Sequence, residues 1–190
     1  IMTYWYPGAV LAAEMASRFW PGTRIVLGGA YASLCTEHAQ GLGVFDLVMQ
    51  GPLERPDNWR AIFDLLGMDT PDIPDNAGLG LALDFYQKPG YAPILGSRGC
   101  PFDCDYCANK QLNPGFVQSE AERVMTAFDR EYDKGVRDFA FYDDALLVKT
   151  GQWLLPLLKH ILDGKKEVRL HAPNAMHMAL LTPELAAMLK

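Results

Sequence analysis

Long apolar runs and clusters of basic residues are both scarce in this 190-residue chain. No apolar run approaches the roughly 18 residues that a membrane-spanning helix needs. The net charge is −6 and no Lys/Arg cluster is longer than Lys165-Lys166, so we expect no duplex nucleic-acid partner. The opening residues, IMTYWYPG, have neither the basic region nor the small-residue cleavage site of a signal peptide. These features predict a cytoplasmic location and no membrane span.

Cysteine is scarce as well, but three of the four cysteines, Cys100, Cys104 and Cys107, stand close together. In a reducing compartment, clustered thiols are metal ligands more often than disulfides. A structural zinc site takes four ligands, and the remaining candidates for a fourth, Cys35 or a distant histidine, lie in other segments. A [4Fe–4S] cluster held by three cysteines keeps one iron open to a ligand from outside the protein. A catalytic iron–sulfur cluster and a non-catalytic iron–sulfur or zinc module, structural or redox-sensing, both remain open at this point.

Hydrophobic residues make up 49% of the chain and charged residues 21%, which is typical of a globular protein with a substantial core. The first third alternates helical and strand patterns, and a tight turn at Gly28-Gly29 follows the first strand. The predicted elements are helices 9–20, 33–40 and 57–67, the last capped by Asp57, and strands 24–27 and 45–49. Four prolines between residues 68 and 93 break any regular period, so this stretch is the predicted inter-domain linker.

A second series follows the linker, in which each strand is succeeded by a helix. The predicted strands are 92–97, 136–142 and 168–171; the predicted helices start at a Ser119/Glu122 capping box, at 152 and at Thr182-Pro183. Strands separated by helices predict a parallel sheet with right-handed crossovers, whose chemistry lies at the carboxyl ends of the strands. The residues just past those ends are Cys100, Asp143, Asp144 and Asn174. We expect them to share one rim of the sheet.

The cysteine stretch, SRGCPFDCDYCAN, has the spacing CxxxCxxC directly after a predicted strand, with Tyr106 just before the last cysteine. This pattern resembles the radical S-adenosylmethionine (radical SAM) superfamily. The resemblance implies that Cys100, Cys104 and Cys107 hold a [4Fe–4S] cluster whose open iron binds the amino and carboxylate groups of S-adenosylmethionine. A reductant such as flavodoxin or ferredoxin then drives cleavage to a 5′-deoxyadenosyl radical, which abstracts hydrogen from the substrate. The implied fold is a partial TIM-type βα barrel, with Tyr106 touching the adenine chiefly through its backbone.

Several polar residues of the rim are further candidates for binding S-adenosylmethionine. The segment Tyr142-Asp143-Asp144 stands where the family often has a Gly-Gly-Glu-like segment, and either carboxylate could take the ammonium group. The alternative is a solvated strand end or a cap for the next helix. Asn174 and His171, in HAPNAMH, are predicted to face the substrate or the ribose, with a structural role as the alternative. His160 and His177 are weaker candidates for the same role.

The stretch RIVLGGAYAS, with Gly28 and Gly29, resembles the double-glycine element of cobalamin-binding Rossmann-like domains, which often precede a radical SAM domain. The stretch MTYWYPG before a helix is also similar to that family. Its element D-x-H-x-x-G, which supplies the lower cobalt ligand, is absent, because Thr36 stands in place of the aspartate before His38 and Gly41. Cys35 is predicted to be a buried small side chain, and Tyr4, Trp5 and Tyr6 to be core or one wall of a cofactor crevice.

The sequence thus predicts an incomplete Rossmann-like, cobalamin-binding-type domain over 1–67, a linker over 68–93 and the N-terminal half of a radical SAM barrel over 94–190. Because Ile1 is not Met and Lys190 ends inside a predicted helix, we expect a piece of a longer protein. With cobalamin, the implied reaction is radical methyl transfer to an unreactive carbon or phosphorus. The substrate, a small molecule or a peptide, is not indicated.

Overall fold

The computed structural model of the protein describes residues 5–72, 83–87, 89–174 and 176–189. The chain divides into two compact units, Ile1–Ala77 and Gly78–Lys190. Much of the predicted linker and the aromatic Tyr4 lie outside the described residues. The identities of the two predicted domains stay predictions.

The first unit contains a two-stranded parallel sheet surrounded by helices. Val26 pairs with Leu47, and Leu27 with Val48. Its core is formed by Leu27, Tyr31, Ala32 and Ala39. The elements are α1 (Tyr6–Phe19), β1 (Val26–Leu27), α2 (Ala30–Leu34), α3 (Thr36–Gly41), β2 (Leu47–Val48) and α4 (Pro56–Leu66).

The helices of this unit differ from the prediction at their ends. The single helix predicted over 33–40 is two short helices that meet at Cys35. The predicted Asp57 cap is wrong: Arg55 is the N-cap residue of α4, and Pro56 takes the first helical position, where its missing N–H is not needed. Asp57 instead lies in the first turn, where its charge suits the helix dipole. Gly67 ends α4, where the predicted helix also ends, and its backbone is left-handed.

The second unit contains a three-stranded parallel sheet in the order β3 (Ala92–Ile94), β6 (Asp138–Phe141), β7 (Arg169–His171), which confirms the predicted βα series. Ile94 pairs with Phe141, and His171 with Ala140. Helices α6 and α7 pack on the sheet and bury Phe128, Phe139 and Trp153. The elements are β3 (Ala92–Ile94), β4 (Ser97–Gly99), α5 (Asn109–Leu112), β5 (Phe116–Gln118), α6 (Ala121–Asp133), β6 (Asp138–Phe141), α7 (Leu154–Asp163), β7 (Arg169–His171) and α8 (Pro183–Met188), with 3₁₀ turns at Leu83–Phe85, Thr150–Gln152 and Met178–Leu180.

An antiparallel ribbon of β4 and β5 stands beside this sheet and was not predicted. Ser97 pairs with Gln118, and Gly99 pairs with Phe116. Gly99 has a φ of +80°, and a Cβ placed on it would lie 2.1 Å from the carbonyl oxygen of Gly115, so only glycine fits. The ribbon therefore closes residues 100–115 into one loop-like segment, which we call the cysteine segment.

Of the predicted helix starts in the second unit, Thr182-Pro183 is confirmed and the Ser119/Glu122 box is corrected. Thr182 Oγ1 accepts a hydrogen bond from the Leu185 N–H at 3.2 Å, as expected for the N-cap of α8. Pro156 lies in the first turn of α7, where it is tolerated. The predicted Ser119/Glu122 capping box is wrong, because Glu120 is the N-cap residue of α6 and makes no side-chain cap. The Ser119 N–H donates instead to the Gly96 carbonyl at 2.8 Å.

The structure is thus an α/β fold with small parallel sheets. No closed barrel is formed by the described residues, so the barrel half of the fold prediction goes beyond what is seen. None of the described helices has the length and apolar character that crossing a membrane requires.

An exposed ion-pair group on β6 and β7 predicts weaker stability in acid. Asp138 accepts hydrogen bonds from Arg169 and from His171, the latter at 2.9 Å, and these hold the pKa of Asp138 at about 2, below the ordinary 3.8. A depressed pKa stabilises the fold above pH 3.8, and this contribution is lost as the pH falls towards 2. We expect Asp138→Asn to lower the urea midpoint at neutral pH, with the gap to wild type narrowing below pH 3.8. The exposed variant Asp163→Asn should show no such pH-dependent gap, and a gap for Asp138→Asn that stays constant in acid contradicts the assignment.

Candidate functional site

The cysteine segment carries three thiols on a short stretch between β4 and α5. Cys100 follows Gly99 directly and is half-buried, whereas Cys104 and Cys107 are exposed. The Cys107 N–H donates to the Cys104 carbonyl at 3.0 Å, which closes a turn between them. Lys110 of α5 reaches back to Asp103 at 2.7 Å across the exposed side of the segment. All three thiols are free, so their sulfurs are chemically available as ligands.

Soft thiolates on one segment are the donor set that an iron–sulfur cluster takes. The chain offers a donor as well: Nδ2 of Asn109, two residues after Cys107, is buried and has no hydrogen-bond acceptor among the described residues. N–H groups aimed at cluster sulfurs tune such centres. Within residues 5–72, 83–87, 89–174 and 176–189, however, no three His, Cys, Asp or Glu side chains come together as a metal-binding group. The residue types fit a cluster, and the thiols must draw closer together to hold one.

Tyr106 lies between the second and third cysteines and is 93% exposed. Its ring therefore contributes nothing to the core, unlike the buried Phe128, Phe139 and Trp153 of this unit. The predicted contact of Tyr106 with adenine stays a prediction.

Asp143 and Asp144, which the sequence does not separate, have opposite environments. Asp143 is fully buried: its Oδ1 accepts from the Ser97 hydroxyl at 2.6 Å and its Oδ2 from the Gly96 N–H at 3.2 Å. Burial raises the pKa of Asp143, and the hydrogen bonds from Ser97 and Gly96 work in the opposite direction. Both of its oxygens are thus occupied by the stretch of chain that leads into the cysteine segment.

Asp144 is exposed at the same rim. The Asn113 side chain donates to it at 3.5 Å, a weak contact, and to the Asn109 Oδ1 at 2.9 Å. The Asp144 carboxylate therefore lies beside the second half of the cysteine segment and is open to an approaching ligand.

The segment after β7 joins the other two rim segments. Nδ2 of Asn174 donates to the carbonyls of Tyr142 at 3.1 Å and of Asp143 at 3.2 Å. The His177 ring stacks on Phe102, inside the cysteine segment, with 4.4 Å between ring centroids. The segments that follow β4, β6 and β7 therefore meet at one rim, as the order of strands and helices predicts.

Two of the candidate histidines, His171 and His160, form hydrogen bonds with carboxylates. Nε2 of His171 contacts Asp138 at 2.9 Å, and Nε2 of His160 contacts both oxygens of Asp129 at 2.9 Å. These contacts agree with the alternative of a structural role for both histidines. His177 was a weaker candidate than His171 in the sequence, yet it is the histidine that touches the cysteine segment. In the sequence, the feature that could have indicated this contact is the aromatic residue Phe102 between the first two cysteines.

In the first unit, Gly29, the second residue after β1, has a φ of +91°, a backbone that favours glycine. Ser33 ties this turn to the end of β2: its hydroxyl donates to the Gly29 carbonyl and accepts from the Gly51 N–H, both at 2.9 Å. The prediction that Gly28 and Gly29 meet cobalamin is not tested by these contacts. His38 pairs its Nδ1 with the Tyr31 hydroxyl at 2.6 Å.

The aromatic and cysteine predictions in this unit are met in part. Tyr6 stacks on Tyr31 with 5.5 Å between ring centroids and packs against the core, whereas Trp5 is 60% exposed. Cys35 is half-buried rather than fully buried, because it stands at the junction of α2 and α3.

Comparison with known proteins gives a likeness of fold. No protein-family model matches the chain, and no curated protein matches it. Among solved structures, it is similar to the radical S-adenosylmethionine methyltransferase TsrM from Kitasatospora setae, solved with its tryptophan substrate and a SAM analogue, aza-SAM. The TM-score is 0.67 at 16% identity, over 97% of this chain and 42% of the TsrM chain. At that identity the likeness establishes the fold, and this chain spans less than half of the TsrM chain.

Proposed function

We propose that this chain belongs to a radical SAM enzyme that holds a [4Fe–4S] cluster through Cys100, Cys104 and Cys107 and binds S-adenosylmethionine beside it. The observation that carries the proposal is that the cysteine segment, with its three free thiols, contacts the segments of Asp144 and Asn174 at the carboxyl rim of a parallel sheet. The fold likeness to a radical SAM methyltransferase supports it. Three protein ligands, rather than four, suit a cluster that also binds a small molecule.

When bound, the cluster supplies the electron that cleaves S-adenosylmethionine. The residues of this chain bind and orient. Asp144 is the exposed carboxylate of the rim, so it takes the ammonium group of the methionine part. The side-chain N–H groups of Asn174 donate to the backbone carbonyls of 142–143. Its Oδ1 can therefore accept a hydrogen bond from a ribose hydroxyl. Tyr106 presents its backbone to the adenine.

We further propose radical methyl transfer to an unreactive carbon or phosphorus, with cobalamin bound by the Rossmann-like domain at 1–67 through Gly28 and Gly29. The parallel strands β1 and β2 and the glycine turn beside them support this role. In this proposal the barrel domain is 94–190, residues 68–93 are the linker, the reductant is a flavodoxin or ferredoxin, and the enzyme works in the cytoplasm.

Anaerobic reconstitution tests the proposal. The purified protein is loaded with iron and sulfide, reduced with dithionite and incubated with S-adenosylmethionine, and 5′-deoxyadenosine is measured by mass spectrometry. We expect a [4Fe–4S] absorbance, release of 5′-deoxyadenosine and, for the first domain, a cobalamin spectrum. A protein that takes up zinc in preference to iron, or a cluster-loaded protein that yields no 5′-deoxyadenosine, is instead a structural or redox-sensing metal module.

Asp144→Asn is expected to weaken the binding of S-adenosylmethionine by roughly tenfold, since a charge-assisted hydrogen bond at an exposed site contributes at the low end of its range. Equilibrium binding to the cluster-loaded protein measures the change. The iron content and the urea midpoint should stay at wild-type values, because Asp144 is exposed and only weakly held by Asn113. Asp163→Asn, an exposed carboxylate at the end of α7, is the charge-matched control. Wild-type affinity in Asp144→Asn would remove this residue from the site.

A further inference from the structure

Gly96 and Ser97 form the entry of the chain into the cysteine segment, because Gly96 stands between β3 and the ribbon and Ser97 is the first paired residue of β4. Ser97 is 1% exposed, which is unusual for a serine. The entry is followed within three residues by Cys100, the first predicted ligand. Its geometry therefore fixes the direction in which the cysteine segment leaves the sheet.

Partners from three parts of the chain hold this entry. Asp143 accepts from the Gly96 N–H and from the Ser97 hydroxyl. The Gly96 carbonyl accepts from the Ser119 N–H at 2.8 Å and from Gln118 Nε2 at 2.6 Å. The Trp153 ring covers the Cα of Gly96 so closely that an added Cβ would lie 2.3 Å from it. Both backbone polar groups of Gly96 are thus paired, and its open face is filled.

Asp143 is the member of this group that connects two rim segments. It follows β6 directly, it is fully buried, and the hydrogen bonds that it accepts come from residues 46 and 47 positions earlier in the chain. A charged group with no exposed surface is held there only when its hydrogen-bonding capacity is met, so its position and that of Ser97 fix each other.

We propose that Asp143 is a positioning residue for the cysteine segment. Its contacts with Gly96 and Ser97 fix where the segment leaves the sheet, so that the three thiols can bind one cluster next to the residues that follow β6. This inference rests on the proposed function for the identity of the cluster. It assigns Asp143 a different task from Asp144, which faces the ligand.

The inference predicts that breaking either hydrogen bond loosens the cysteine segment while the sheet stays folded. Ser97→Ala removes the hydroxyl and leaves Asp143 Oδ1 without its partner. Asp143→Asn turns one acceptor into an N–H donor, and that donor then faces either the Gly96 N–H or the Ser97 hydroxyl. Asp163→Asn removes the same charge from an exposed position and is the matched control.

The first test uses the protein without metal. The modification rate of each thiol by a small alkylating reagent is measured and assigned by mass spectrometry, with the urea midpoint measured beside it. In Ser97→Ala we expect the half-buried Cys100 to react about fivefold faster, the change that loss of one net hydrogen bond predicts for a local opening. Cys35 should keep its wild-type rate. If Asp143→Asn does not fold, Ser97→Ala, which changes a smaller group, decides the question.

The second test loads the same variants with iron and sulfide and records iron per chain and the electron paramagnetic resonance spectrum of the reduced cluster. Lower iron content or an altered spectrum in folded Ser97→Ala supports the positioning role, since a purely structural residue lowers the urea midpoint and leaves the spectrum unchanged. Folded variants with wild-type thiol rates, iron content and spectrum overturn the inference. If the wild type takes up no cluster, the proposed function fails, and the thiol rates still decide whether Asp143 positions the segment.

Discussion

Gly96→Ala is expected to lower the free energy of unfolding of the second unit by about 3 kcal/mol or more, the upper part of the range for an overpacked core. An alanine Cβ at this position lies 2.3 Å from two carbons of the Trp153 ring, far inside van der Waals contact. Trp153 is fully buried between α7 and the sheet, so its ring cannot turn away without displacing Phe141 and its neighbours. Urea unfolding followed by tryptophan fluorescence measures the loss.

Gly151→Ala is the matched control for this change. Gly151 is close to Trp153 in sequence, but a Cβ at Gly151 meets no atom within 4 Å. The free energy of unfolding of Gly151→Ala should therefore change by less than about 0.5 kcal/mol. Trp153→Phe combined with Gly96→Ala should recover part of the loss, because the smaller ring makes room. A Gly96→Ala protein as stable as Gly151→Ala would show that the ring and the entry of the cysteine segment are not packed as described.

Cys104→Ala is expected to abolish cluster binding and the release of 5′-deoxyadenosine. Three thiolates are the fewest protein ligands with which the proposed cluster is held, so removal of one leaves two anchored irons and exposes the rest to solvent. Iron and sulfide per chain, measured after anaerobic reconstitution, should fall to background. The exposed position of Cys104 means that the urea midpoint of the metal-free protein should hardly change.

Cys35→Ala provides the comparison for the cysteine variants. Cys35 lies in the first unit, at the junction of two short helices, and its loss should leave iron content at the wild-type value. Equal loss of metal in Cys35→Ala and Cys104→Ala would point to a fourth protein ligand and to a closed structural site. Full iron content in Cys104→Ala would remove the cysteine segment from the metal site altogether.

Much of the second unit could be predicted because its signals are local. Thr182 before Pro183 marks a helix start whatever surrounds it, and the apolar run of β6 predicts a buried strand. Alternation of strands and helices then predicts parallel order, since the crossover has one favoured hand. The meeting of three rim segments followed from that order alone.

The features that were missed depend on partners far away in the chain. The β4–β5 ribbon pairs Ser97 with Gln118, and its local signal, a turn at Asn113-Pro114-Gly115 before Phe116-Val117, is short. Ser119 and Glu122 match a capping box in sequence, yet the Ser119 N–H is used by Gly96, across the ribbon. A tertiary hydrogen bond replaced the local one.

Asp143 and Asp144 show the same limit within the site. Side chains at a strand end alternate between the two faces, so neighbouring aspartates take opposite environments. Which aspartate is buried depends on Ser97, which stands 46 positions before Asp143 in the chain. A local sequence pattern does not extend that far. The sequence could therefore name the pair as candidates but could not divide their tasks.

The antiparallel ribbon joins the two ends of the cysteine segment. Because Gly99 and Phe116 are paired neighbours, the polypeptide leaves and rejoins the domain at a single point. None of the residues in between takes part in the strand pairs of β3, β6 and β7. Under the proposed function, the sheet can therefore fold first, and the cluster can be inserted into the cysteine segment afterwards.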